Sequence, residues 1–107
     1  MPLTFGLVVR FALKEDAGQA FDQLVEDTVA KIRENEAGTL VYTCHTVEGQ
    51  PAQRVFYELY RDEKAFAEHE RQPHVRAFLA EREKYVESFE VDRLRLTTGK
   101  GHHLDGQ

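Results

Sequence analysis

Basic clusters, paired cysteines and long apolar runs are all missing from these 107 residues, and each gap removes a class of function. The formal net charge is −5 and no Lys/Arg stripe occurs, which argues against nucleic acid, whose phosphates demand cationic contacts. The same balance disfavours an anionic membrane surface. Cys44 is the single cysteine, so no intrachain disulfide forms, and a reducing compartment is the consistent setting. No apolar run approaches the ~18 residues of a membrane span. The opening Met1-Pro2-Leu3-Thr4-Phe5-Gly6 has no charged segment leading into an apolar one, so no signal peptide is expected and a cytoplasmic location is. Internal repeats, a linker and a Gly-x-Ser-x-Gly elbow are also absent. Gly99-Lys100-Gly101 has no helix after it and is not a nucleotide loop. His69 and His74 are five apart with Pro73 between them, a spacing that puts them on different helical faces, and no metal site is expected there. His102, His103 and Asp105 fall in a patternless tail, where a histidine pair makes a weak site.

What remains is an ordinary globular mixture, 41% hydrophobic and 31% charged, large enough for one core. Phe5, Leu7, Val9, Phe11 and Leu13 alternate with Gly6, Val8, Arg10 and Ala12, the period of a strand. Asp16 to Gln19 resembles a capping box. Phe21, Leu24, Val25, Thr28 and Ile32 then mark one face of an amphipathic helix, which Gly38 is placed to stop through left-handed angles. A second strand runs from Thr39 to about Val47. Glu48 to Ala52 reads as a hairpin loop. From Val55 the period is two again, and after Asp62, an N-cap residue type, it becomes helical through Ala65, Phe66 and His69. Pro73 closes that helix. A further helical stretch puts Val75, Phe78, Leu79, Arg82 and Val86 near one face. The last strand begins at Phe89, and its apolar residues slip from odd to even positions, which predicts a bulge near Asp92-Arg93.

This order predicts an α+β, ferredoxin-like βαββαβ sandwich over residues 1–97, with helices on one face of an antiparallel sheet and a flexible tail over 98–107. The third strand is apolar on both sides, through Val55, Tyr57 and Leu59 and through Phe56 and Tyr60. A sheet with two apolar faces needs two covers, so a homodimer pairing sheet to sheet is expected.

Several polar groups stand among the aromatics. His69 follows Phe66 by one turn and faces the sheet. It is either a buried histidine bonded to backbone or a base in a pocket, the role for which imidazole is suited. Glu58 interrupts an apolar strand, either as a paired structural carboxylate or as a pocket group with a raised pKa. Tyr42, Tyr57 and Tyr60 read as packing residues whose hydroxyls need partners. Cys44 reads as an inert strand cysteine and Arg54 as solvated.

Three segments together resemble the antibiotic biosynthesis monooxygenase family: Glu36-Ala37-Gly38-Thr39-Leu40-Val41-Tyr42, Phe56-Tyr57-Glu58-Leu59-Tyr60-Arg61-Asp62, and Ala65 to His69 followed by Gln72-Pro73-His74. Their order and spacing are similar to the family's Glu-Pro-Gly-x-Leu-x-Tyr, Glu-x-Trp/Tyr-x-Asp and His-x-x-Ser-Pro-His elements. Ala37 replaces the usual proline, and Tyr60 stands where many members have tryptophan. The resemblance implies a dimeric α/β barrel. It also implies cofactor-free oxidation by O2 of a small dihydroxyaromatic substrate of quinol or anthrone type. On it, His69, Glu58 and Tyr60 are the expected catalytic set, and Tyr42, Phe56, Phe66 and His74 the expected substrate-binding set, with no metal or cofactor. The haem-degrading branch is disfavoured, because the first strand has no asparagine and Leu79 occupies the region of the haem-ligating histidine. Proton-transfer isomerisation and a non-catalytic small-molecule-binding dimer are the alternatives.

Overall fold

The computed structural model describes residues 4–101. The observed order is β1 (Phe5–Leu13), α1 (Gly18–Asn35), β2 (Thr39–Val47), β3 (Gln50–Tyr60), α2 (Glu63–Arg71), α3 (Pro73–Glu81), a 3-10 turn (Arg82–Lys84) and β4 (Val86–Arg95). The four strands form one antiparallel sheet in the order β2-β3-β1-β4. This is the ferredoxin-like fold that the alternation and helix periods predict.

The two sheet faces follow from the register. Phe5 pairs with Tyr60, Leu7 with Glu58 and Val9 with Phe56, so these residues share the face that the helices cover. Phe11, Phe21, Phe56 and Tyr60 are the largest side chains fully buried there. Burying each aromatic side chain of this kind contributes roughly 1.5–3 kcal/mol. On the other face, Gly6 pairs with Leu59, Val8 with Tyr57 and Arg10 with Val55. Val8, Val55 and Tyr57 are only half-buried, since no element of the described residues covers them.

Several local expectations are corrected. α1 begins at Gly18 after Ala17, with no side-chain cap, and Asp16 instead takes a left-handed turn conformation at φ 60°. Aspartate tolerates that region through local hydrogen bonding. β3 starts at Gln50, five residues earlier than its apolar alternation suggests, and the hairpin narrows to Glu48-Gly49, with Gly49 at φ 79°. Val86 belongs to β4, not to a helix. The β1–β4 register runs unbroken from Phe5/Arg95 to Ala12/Ser88, and its one irregularity lies between Ala12 and Leu13, opposite Glu87, so no bulge occurs at Asp92-Arg93. The apolar slip has another cause: Phe89 and Val91 point to the helix side and Leu94 to the opposite side of an edge strand exposed on both faces.

Arg54 is the largest correction to the polar assignments. It is 7% exposed. It donates to both Asp22 carboxylate oxygens at 2.8 and 2.9 Å, and to the carbonyls of Pro51 and Gln53 at 2.8 Å. From Leu96 to Gly101 no regular element forms. The expected site at His102, His103 and Asp105 lies outside the described residues. No described helix is long and apolar enough to cross a membrane.

Candidate functional site

The α2–α3 junction organises one end of the helix layer. Asp62 caps α2, its carboxylate accepting from the Ala65 N–H at 2.8 Å. The helix stops at Gln72, which has extended angles because Pro73 follows, and Pro73 opens α3 at its first position, where a missing N–H costs nothing. This break carries His74 back toward His69.

The turn after α1 meets the two histidines. Glu36 ends α1, its N–H donating to the Ile32 carbonyl. Gly38 sits where an added Cβ would come within 2.7 Å of the Ala65 Cβ. Its role is therefore close approach to α2, not the left-handed conformation expected from its position. That approach delivers the Glu36 carboxylate, whose side chain is 3% exposed, to three donors. His69 Nδ1 lies 2.5 Å from Oε1, Thr39 Oγ1 2.7 Å from Oε1, and His74 Nε2 2.5 Å from Oε2. Two histidines expected on divergent faces thus converge on one carboxylate.

Burial pushes the Glu36 carboxyl up, but the hydrogen bonds from His69, Thr39 and His74 outweigh it and hold the group below its ordinary value. An ionised carboxylate only accepts. His69 therefore carries its proton on Nδ1 and donates it to Glu36. In the neutral ring this leaves Nε2 with a lone pair, the arrangement of an oriented general base.

His69 lines a cavity of about 340 Å³ between α2, α3 and the inner sheet face. The volume falls at the low end of small-molecule sites. Phe56, Phe66, Phe78 and Tyr42 supply aromatic walls, and the His69 ring lies 5.5 Å from Tyr42 and 6.3 Å from Phe66, centroid to centroid. Glu58 faces the same space. Burial raises its pKa, against the opposing pull of the Tyr60 hydrogen bond and of His69 and Arg82. Tyr42, its partner across β2 and β3, is pushed well up by burial and by the Glu58 charge. On the β4 side the cavity is lined by Phe89 and Val91, which are about half exposed, at 48% and 46%.

Of the residues singled out in the sequence, His69, Glu58, Tyr42, Phe56 and Phe66 all line this cavity. Tyr60 and His74 do not. Tyr60 is wholly buried and donates its hydroxyl to Glu58 at 2.6 Å. His74 lies behind Glu36. Glu58 does not orient His69; Glu36 does. Two residues escape a sequence reading. Glu36 left one signal, a carboxylate at a helix C-terminus, where the dipole disfavours negative charge and something else must hold it. Arg82 left another, a charge on the otherwise apolar face of Val75, Phe78 and Leu79.

Cys44 is half-buried, and burial, Glu58 and Asp22 push its thiol up to about 12. Among the described residues no cluster of His, Cys, Asp and Glu could hold a metal ion.

Comparison with known proteins agrees with this fold. Residues 4–81 match the family model of antibiotic biosynthesis monooxygenase. A candidate antibiotic biosynthesis monooxygenase of Caulobacter crescentus superposes with a TM-score of 0.85 at 20% identity, over 91% of this chain and 92% of the other. A Pseudomonas aeruginosa protein gives 0.83 at 22% identity, over 92% and 98% of the two chains. A Shewanella oneidensis protein gives 0.82 at 24%, over 90% and 93%. These likenesses establish the fold. Comparison with curated proteins returned no match.

Proposed function

Starting from the fact that this chain belongs to the antibiotic biosynthesis monooxygenase family, we propose that it oxidises a small dihydroxyaromatic substrate with O2 and needs no cofactor to do so. One observation carries the reading: a histidine whose Nδ1 is held by a buried carboxylate lines an aromatic-walled cavity. His69 Nε2 takes the phenolic proton. The resulting anion is electron-rich enough to reduce O2 itself. One oxygen atom enters the ring, the other leaves as water, and the substrate supplies all the electrons as the quinol becomes a hydroxyquinone. Tyr42 holds a phenolic oxygen, and Phe56 and Phe66 flank the ring. Tyr60 and His74 are positioning residues, acting through Glu58 and Glu36.

The test is an oxygen electrode with metal-stripped protein and a panel of hydroquinones and anthrones. Uptake that survives stripping and collapses in His69→Ala supports the reading. Full turnover by His69→Ala would overturn the assignment of the base. Conversion of a dicarbonyl substrate without oxygen uptake would favour the second reading, proton-transfer isomerisation. Glu58, buried and lining the same cavity as His69, suits that reading as the second member of an acid–base pair.

We also infer a homodimer through the outer sheet face, where Val8, Val55 and Tyr57 lie without cover. Light scattering at low micromolar concentration tests it, and a clean monomer would refute it.

A further inference from the structure

Two guanidiniums line the cavity: Arg93 is exposed on β4, over the Phe5 ring and 3.9 Å from Glu63, and the half-buried one is Arg82. It lies where α3 passes into the 3-10 turn, half-buried, with its guanidinium 4.6 Å from the Phe89 ring centroid and 5.6 Å from that of Phe11. It forms no ion pair and no side-chain hydrogen bond with the described residues, unlike Arg54, whose donors are taken up by Asp22 and two carbonyls. Yet it lines the cavity with Glu58 and Tyr42. Burial lowers its pKa, and the nearest acidic groups only partly offset that. Glu58 is near enough to attract it but forms neither an ion pair nor a hydrogen bond with it; the Glu58 carboxyl accepts from Tyr60 instead. A half-buried guanidinium held by two aromatic faces, with its hydrogen-bonding edge unused, is preorganised for a planar oxyanion.

We propose that Arg82 selects substrates carrying a carboxylate, so that the cavity binds an acidic aromatic, its ring among Phe56, Phe66 and Tyr42 and its carboxylate on Arg82 at the β4 side. This rests on the cavity being the substrate site and extends that reading to a substrate class. His69 and Arg82 come from separate helices, α2 and α3, so one aromatic molecule would present its phenol to the first and its acid to the second.

Isothermal titration with a redox-inert pair, a naphthol and the matching hydroxynaphthoate, tests the proposal without turnover. The wild type should bind the acid about 10- to 100-fold more tightly than the neutral compound, the range of one charge-assisted hydrogen-bonded contact. Arg82→Gln should remove that preference while changing naphthol affinity by about twofold or less, and Arg82→Lys should retain part of it. Thermal melts of both variants show whether they are folded. Equal wild-type affinities would overturn the proposal, as would equal weakening of both ligands in a folded Arg82→Gln. So would a loss of turnover in Arg82→Gln with unchanged acid binding, which would instead assign the arginine to an oxyanion of the ring itself. Acid-selective binding without oxygen uptake from any acidic hydroquinone would leave the carboxylate site standing and remove the monooxygenase reading. If neither compound binds, both fall.

Discussion

α1 carries a hydrogen-bonded carboxylate near each end, and the two are put to different use. Near its start, Asp22 receives two bonds from Arg54 and stays half exposed, its side chain at 51%. At its end, Glu36 receives His69, His74 and Thr39 in near-complete burial. The difference lies in the partner. A guanidinium does not give up its proton in a protein, and the remaining donors of Arg54 go to the Pro51 and Gln53 carbonyls. That pair can only lock the start of β3 to α1. An imidazole has two nitrogens, and a carboxylate on one defines the state of the other. Pairing of opposite charge in a fold is therefore weak evidence of function, unless the partner keeps a reactive atom and that atom meets a cavity.

The largest expected effect separates the two clusters directly. His69→Ala should lower oxygen-uptake turnover by about 10²–10⁴-fold, the range for loss of a general base. Arg54→Ala should leave the turnover of folded protein near that of the wild type and cost about 1–3 kcal/mol in denaturant unfolding, from lost charged hydrogen bonds. If Arg54→Ala impaired turnover as severely as His69→Ala, the distinction between the clusters would be gone.

Substituting the carboxylates sharpens the comparison. In Glu36→Gln one oxygen becomes an N–H donor, so one histidine must turn an unprotonated nitrogen toward it. If that histidine is His69, its proton moves to Nε2 and the base is lost. Turnover should fall about 10-fold or more, with stability reduced by about 1–3 kcal/mol. Asp22→Asn should cost less than about 1 kcal/mol, because its side chain is half in water, and should leave turnover unchanged. The proton on His69 can be located in each variant by nitrogen NMR of the imidazole ring.

The two clusters also differ in how far a sequence reveals them. Alternation in Phe5–Leu13, the change of period at Asp62 and the break at Pro73 are local signals, and each appears where the spacing puts it. Both carboxylate clusters join residues more than thirty positions apart, |i−j| 32 for Asp22 with Arg54 and 33 for Glu36 with His69, and no periodicity reaches that far. Arg54 therefore reads as solvated, and Glu36 enters only as the first residue of a family-like segment, with no partner assigned. The histidine pair misleads for a related reason. A spacing of five diverges on a continuous helix, and the same proline that breaks the helix brings the rings together. β4 is misread because its two exposed faces impose no single apolar phase.

A smaller effect contrasts Glu36 with Glu58 through pH. The folded pKa of Glu36 is depressed, so its contribution to stability is present above the unfolded carboxyl value near ~4.3 and is lost as pH falls through the folded value. Glu58 has the opposite sign. Its folded pKa is raised by burial, so the folded protein holds a proton that the unfolded chain has released, and stability declines as pH rises from the unfolded value through the folded one. Glu58→Gln keeps an acceptor for Tyr60 and removes the charge. It should raise the melting temperature by a few degrees at pH ~8, corresponding to about 0.5–1 kcal/mol, and by less at pH ~4. An equal gain at both values would show that the burial cost of Glu58 is not what its replacement relieves.

The smallest expected effect concerns the thiol between the two clusters. Cys44 pairs with Phe56 across β2 and β3, and its thiol is pushed up to about 12 by burial and by the charges of Glu58 and Asp22. Thiolate is the reactive form, so little of it exists at neutral pH. Disulfide-exchange reagents should label the native protein far more slowly than the unfolded chain. Cys44→Ala should change turnover by less than about twofold while costing about 1 kcal/mol of packing, since the removed sulfur is only half-buried. Rapid native labelling that also abolished turnover would place a nucleophile on β2 outside the His69 cavity, and the contrast between a locking carboxylate and a base-orienting one would no longer account for where the chemistry of this chain resides.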